Sequence, residues 1–263
     1  MSDQIWPQLV IFDCDGVLVD SEVVSIREAA AALRREGLAI DEAGVRDRFL
    51  GVSLASLIAS VEADLGRSLS SDFSARLTGA TLAAFEREMK AIAGVAEAVQ
   101  AIQAMVCVAS SGTPERIRRS LDIAGLRDLF EPHIYSATMV AQGKPHPDLF
   151  LHVAETLKIA PRHCLVIEDS VAGVTAARRA GMSVFGFAGG AHFVDADQAE
   201  RLAASGAARV FVDMTELPAL IKSGRGPGSQ LFADLPNAAR RASRPARISN
   251  TRRRSRGSCS WAT

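Results

Sequence analysis

Six short apolar runs, separated by helical patterns, constrain this chain more than any other feature. LVIFD (9–13), VCVAS (106–110), HIYSA (133–137), CLVIED (164–169), SVFGFA (183–188) and ARVFVD (208–213) read as strands. They are nearly continuous in apolar residues rather than alternating, the pattern of strands covered on both faces. Helical segments fall between them at 94–103, 114–124, 147–158, 170–180 and 195–205. Strand–helix alternation of this kind predicts an α/β fold with a doubly wound parallel sheet.

Residues 18–88 break the rhythm, with about four helical patterns and no convincing strand between 21 and 89. The first helix is expected to start at Ser21 as N-cap, to turn Val23, Ile26, Ala30 and Leu33 to one face, and to stop at Gly37. The stretch reads as a four-helix domain inserted after the first strand, so that 1–17 and 89–223 make the core, hinged near 17–20 and 88–93. Beyond Lys222 the periodicity ends. Residues 224–263 hold nine arginines and one acid, a net charge of +8 against −8 for the rest, and read as a disordered basic tail.

No apolar run reaches the roughly 18 residues of a membrane span, and the N-terminus carries no secretory pattern. Cys14, Cys107, Cys164 and Cys259 are widely spaced without a CxxC pair, so neither a zinc site nor a disulfide framework is indicated. A reducing, cytoplasmic setting and a monomeric protein are expected.

Chemistry concentrates at strand ends. Asp13 and Asp15 close the first run, on one side of the extended chain, and Gly16 lets the backbone turn away. Alone, a D-x-D serves turns and calcium loops as well as catalysis. Glu168 and Asp169 finish the fourth run ahead of Ser170, where helix capping is the competing use. Four carboxylates on one sheet edge repel one another and call for a cation. All-oxygen donors favour a hard ion, magnesium in particular when phosphate is present. Ser110, Ser111, Gly112 and Thr113 lead to Pro114, either a phosphate cradle at a helix N-terminus or an ordinary cap. Lys144 lies in the stiff loop AQGKPHPDLF, either a solvated lysine or the fixed positive charge an acidic cluster needs; His146 beside it reads as a turn residue.

In order and position, FDCDGVLVDSE, the Ser110 strand end, GKPHPD and VIEDSVAG resemble the motifs of the haloacid dehalogenase-like (HAD) hydrolase superfamily, over about residues 8–221. The helical insert is similar to the cap of the subfamily containing β-phosphoglucomutase and small sugar-phosphate phosphatases. That resemblance implies a Rossmann-like core and assigns roles. Asp13 would be the nucleophile that forms an aspartyl-phosphate, and Asp15 the general acid/base. Ser110, Ser111, Gly112 and Lys144 would hold the phosphoryl group. Magnesium would be bound by Asp13, Asp169 and the Asp15 carbonyl, with Glu168 supporting them. Dehalogenases of this fold lack an acid at the position of Asp15, which points to phosphoryl transfer. Mutases of the subfamily carry a histidine and an arginine where this chain has Ser25 and Leu54, which favours water as acceptor.

The substrate class expected is a small phosphorylated metabolite, a sugar phosphate or phosphorylated sugar acid; Arg46 and Arg48 near the GVSL turn are either substrate contacts or a solvated face. Two further readings stay open: a mutase-like isomerase, and a tether to nucleic acid or an acidic partner through the tail. The second lacks interleaved aromatics or an RNA-binding motif, so nucleic acid is not the expected partner.

Overall fold

The computed structural model describes residues 7–49, 54–193 and 197–223. The Arg-rich stretch 224–263, and with it any tether, lies outside the described residues.

Each of the six apolar runs contributes a strand: β1 (Leu9–Phe12), β2 (Met105–Ser110), β3 (Ile134–Ser136), β4 (Cys164–Glu168), β5 (Ser183–Phe187) and β6 (Arg209–Phe211). They form one parallel sheet in the order β3-β2-β1-β4-β5-β6. Every residue of β1 is buried. Its Val10 and Phe12 join an apolar cluster on one face, with the helices α5 (Val95–Ala101), α6 (Pro114–Ile123) and α10 (Leu217–Ser223). Leu9 and Ile11 join another on the opposite face, against α7 (Asp148–Thr156), α8 (Val171–Arg179) and α9 (Asp197–Ala204). Burial on both faces is why the strands show no alternation.

The chain reverses its direction of travel across the sheet between β1 and β4, and their carboxyl ends bound the crevice where open α/β sheets place ligands.

Between β1 and β2 the chain forms α1 (Glu22–Arg35), α2 (Glu42–Phe49), α3 (Leu54–Leu65) and α4 (Phe73–Glu88) before α5. These four helices share an apolar cluster of their own, including Ile26, Leu33, Phe49, Val61 and Phe73. The way out and the way back run side by side: Val19 pairs antiparallel with Ala91, and the Ile92 amide donates to the Leu18 carbonyl at 2.9 Å.

Two details of α1 depart from the sequence reading. Val23 faces solvent, and Val24 takes the inward position with Ile26, Ala30 and Leu33. Ser21 makes no side-chain cap; its hydroxyl is used elsewhere. The helix does end at Gly37, whose φ of +92° suits a residue without Cβ.

Among the described residues no helix is long and apolar enough to cross a membrane.

Candidate active site

The loop between β3 and α7 delivers Lys144 to the carboxyl edge of the sheet. Its Nζ donates to Asp13 Oδ1 at 2.5 Å, to Glu168 Oε1 at 2.6 Å and to the Ala109 carbonyl at 3.1 Å. The ends of β1, β2 and β4 are thus tied by one ammonium. Burial works against that charge, but Asp13 and Glu168 outweigh it and hold the lysine above its ordinary value. Asp13 is itself pushed well above the usual carboxylate range, first by burial and then by Glu168 and Asp169, with Lys144 opposing.

Glu168 is fully buried, and its other oxygen accepts from the Ser170 amide at 3.0 Å and the Ser170 hydroxyl at 2.9 Å. Ser170 in turn caps α8 by accepting from the Gly173 amide. A Cβ on Gly173 would lie 1.8 Å from Glu168 Oε1, so the carboxylate occupies the place of a side chain. Gly173→Ala is therefore expected to lower stability by about 3 kcal/mol or more, although alanine favours a helix by roughly 1 kcal/mol. A urea titration showing equal or greater stability would contradict this packing.

Asp169 follows β4 and is also raised well above its ordinary value, by burial first and Glu168 second. Its Oδ2 lies 3.2 Å from His192 Nε2. Gly16, at φ +79°, is pressed so close that a Cβ there would sit 2.0 Å from the same oxygen. The glycine after the D-x-D thus serves the turn and makes room for Asp169.

Asp15 stands in different company. Ser21 donates its hydroxyl to Asp15 Oδ1 at 2.6 Å, and Arg116 donates to that oxygen at 3.1 Å. The Arg116 side chain is 40% exposed, so this ion pair orients Asp15 more than it stabilises the fold.

Ser110 ends β2, buried, and its hydroxyl accepts from the Gly112 amide at 3.2 Å. Ser136 on β3 fixes the same turn by donating to the Gly112 carbonyl at 2.6 Å. Ser111 is exposed, and Thr113 is the N-cap of α6. His146 is exposed in a turn closed by its amide and the Gly143 carbonyl. Cys14, between the two aspartates, is buried with its thiol pushed far up, which removes it as a nucleophile.

Ser136, Arg116 and His192 are members of this centre that the sequence did not single out, and Ser21 reads there only as a helix cap. His192 follows a Gly-Gly pair after β5, so the strand-end rule had the means to find it.

Glu22, beside this cluster, is pushed up to about 8 by burial and by the Asp15 and Asp169 carboxylates. The folded chain then keeps a proton that the unfolded chain releases near 4.5. That favours folding below about 4.5 and is withdrawn as pH rises towards about 8. Glu22→Gln is expected to gain on wild type progressively across that window and by a constant margin above it. Parallel stability–pH curves, taken in chelator, would refute this.

No three His, Cys, Asp or Glu side chains among the described residues converge as a complete metal cage. Magnesium does not need one, since it takes one or two carboxylates and fills its shell with water and phosphate. Asp13 and Asp169 offer two carboxylates that burial and mutual repulsion leave short of positive charge, a donor set that fits the ion. Both Glu168 oxygens are already engaged by Lys144 and Ser170, and the Asp15 carboxylate by Ser21 and Arg116.

A family model described as haloacid dehalogenase-like hydrolase matches residues 7–181. The 6-phosphogluconate phosphatase of Escherichia coli (strain K12) is 33% identical over 186 residues, 70% of this chain and 84% of that one. Among solved structures, a haloacid dehalogenase-like protein of unknown function from Agrobacterium tumefaciens superposes with a TM-score of 0.75 at 36% identity, covering 82% of this chain and 98% of its own. A HAD family hydrolase from Deinococcus radiodurans, with bound phosphate and sodium, gives a TM-score of 0.69 at 33% identity, covering 83% and 97%. With its β3-β2-β1-β4-β5-β6 sheet and its acidic carboxyl edge, the chain belongs to the haloacid dehalogenase-like hydrolases.

Proposed function

We propose that this hydrolase is a magnesium-dependent phosphatase that cleaves small phosphate monoesters, sugar phosphates or phosphorylated sugar acids, through an aspartyl-phosphate on Asp13. One observation carries the reading: two aspartates from one strand end are held apart in different company. Asp13 is held by Lys144, while Asp15 is held by Ser21 and Arg116. Such a pair divides the labour of nucleophile and proton carrier.

In the first step the Asp13 carboxylate attacks phosphorus and the ester oxygen leaves, taking a proton from Asp15. In the second, Asp15 removes a proton from water, which attacks phosphorus, frees inorganic phosphate and restores Asp13. Lys144 neutralises the carboxylate that must approach an anion, and Ser110 with the Ser111–Gly112 turn receives phosphoryl oxygens. Magnesium, held by Asp13, Asp169 and the Asp15 carbonyl, would supply charge neutralisation for the transferring group. Glu168 keeps Lys144 in place.

Ser25 and Leu54, at the positions where mutases carry their histidine and arginine, support water as acceptor. The family relationship to a curated sugar-acid phosphatase supports the substrate class. The protein is read as a monomer acting in the cytoplasm.

The test is phosphate release across a panel of phosphorylated metabolites, with magnesium and with chelator. Asp15→Asn is expected to lose about 10²–10⁴-fold in kcat while folding normally. Release that survives chelation, or faster interconversion of sugar phosphates than release of phosphate, would reject the reading.

A further inference from the structure

Helix α6 begins just after the Ser110–Gly112 turn and carries three arginines in its first two turns. Arg118 pairs with Glu131 at 2.9 Å and Arg119 with Glu86 at 2.5 Å, both open to solvent. Arg116 turns instead to the reaction centre, and reaches across 101 residues of sequence to Asp15 Oδ1.

The arm is braced along its length. The Arg116 amide donates to the Thr113 hydroxyl at 3.3 Å. A Cβ on Gly112 would meet Arg116 Cδ at 3.7 Å, so the stem lies against the turn that follows Ser110. The guanidinium sits 5.7 Å from the centre of the Phe85 ring, a side chain of α4 that is 1% exposed. Asp15 Oδ1 therefore receives two donors, Arg116 and Ser21, and among the described residues no hydrogen bond reaches Oδ2. Two donors on one carboxylate oxygen fix the rotation of the group and leave the other oxygen to hold a proton.

We propose that Arg116 is a positioning residue for the proton transfer: it holds Asp15 by Oδ1 so that Oδ2 delivers the proton to the leaving oxygen. This deepens the phosphatase reading above and rests on it. In the first step Asp13 bonds to phosphorus and the ester P–O bond breaks. Its electron pair stays on the ester oxygen, which takes the proton from Asp15 Oδ2 and departs as the alcohol. Asp15 is left as a carboxylate. Negative charge thus grows on Asp15 during the step, and the hydrogen bond from Arg116 strengthens with it. A contact that tightens towards the transition state raises the rate rather than the affinity. A half-exposed arginine that adds little to the fold can therefore matter to turnover.

The need for a proton depends on what leaves. The experiment compares kcat/KM for a hexitol 6-phosphate, whose alkoxide needs a proton, with kcat/KM for p-nitrophenyl phosphate, whose phenolate leaves without one. Arg116→Met should lose about tenfold or more on the hexitol ester and keep most of its value on the aromatic one. Asp15→Asn should show the same selective loss, and adding Arg116→Met to it should deepen that loss no further, since both act through one proton. Arg119→Met is the control and should keep both values. Each variant's fold is checked by circular dichroism; should Arg116→Met not fold, Arg116→Gln, expected to behave alike, decides. No loss in Arg116→Met, equal losses on the two esters, a gain on the hexitol ester, or full additivity with Asp15→Asn would overturn the role of Arg116. Equal losses on both esters in Asp15→Asn would instead overturn the assignment of Asp15 on which that role rests. Release of phosphate from neither compound by wild type, with magnesium present, would overturn the phosphatase reading itself.

Discussion

Asparagine in place of Asp13 is expected to abolish turnover while leaving the fold in place. An amide oxygen still accepts from Lys144, so the contact that joins β1 to the β3–α7 loop persists. What disappears is the nucleophile: a neutral amide does not displace an alcohol from phosphorus. Where nucleophile and partners act as a unit, losing one costs on the order of 10⁴–10⁶-fold in kcat. Phosphate release measured on the preferred ester, beside a circular dichroism spectrum matching wild type, checks both halves. Turnover within tenfold of wild type would mean that Asp13 is not the group attacked, whatever the geometry around it.

Lys144→Met should instead be felt by the fold. The ammonium is enclosed, with its side chain only 5% exposed, and it is matched by two carboxylates in direct contact. Methionine fills a similar volume but leaves Asp13 and Glu168 buried together without their cation. Removing one partner of a buried ion pair typically lowers stability by about 3–5 kcal/mol, and here two acids lose the same partner. The loss should shrink as pH falls, because Asp13 is already biased towards its protonated form. Denaturant titrations at neutral and mildly acidic pH test this. A neutral-pH loss below about 1 kcal/mol would show that the pair contributes no more than a surface one. Activity should vanish with the lysine as well, since the phosphoryl dianion would then approach an uncompensated carboxylate.

The sheet was legible because parallel strands covered on both faces must be apolar throughout, as β1 is. The strand-end rule then marked Asp13, Ser110, Glu168 and Asp169 by their convergence on one sheet edge, although a turn or a helix cap competed for each taken singly. Lys144 was the weaker candidate: its meaning depends on a contact across 131 residues that no local pattern carries. Ser21 shows the limit more sharply. A hydroxyl just before a helix suits a cap or a reach outward, and only the placement of Asp15 selects the second. Val23 and Val24 are adjacent and chemically alike, so helical phase alone had to choose between them, and the fold chose Val24. Arg116, one turn beyond the Thr113 cap, owes its position to tertiary structure entirely.

The pairing of the two crossings has a consequence for how such a protein changes over generations. Leu18 and Ile92 are hydrogen-bonded neighbours, so the sheet meets the whole excursion between them as it would meet a tight hairpin. Lengthening, shortening or replacing that excursion leaves the strand register untouched and adds little closure entropy. On the phosphatase reading proposed above, the residues that would transfer phosphate therefore sit on a piece separable from the excursion. Rewriting the excursion would leave Asp13, Lys144 and Asp169 where they are.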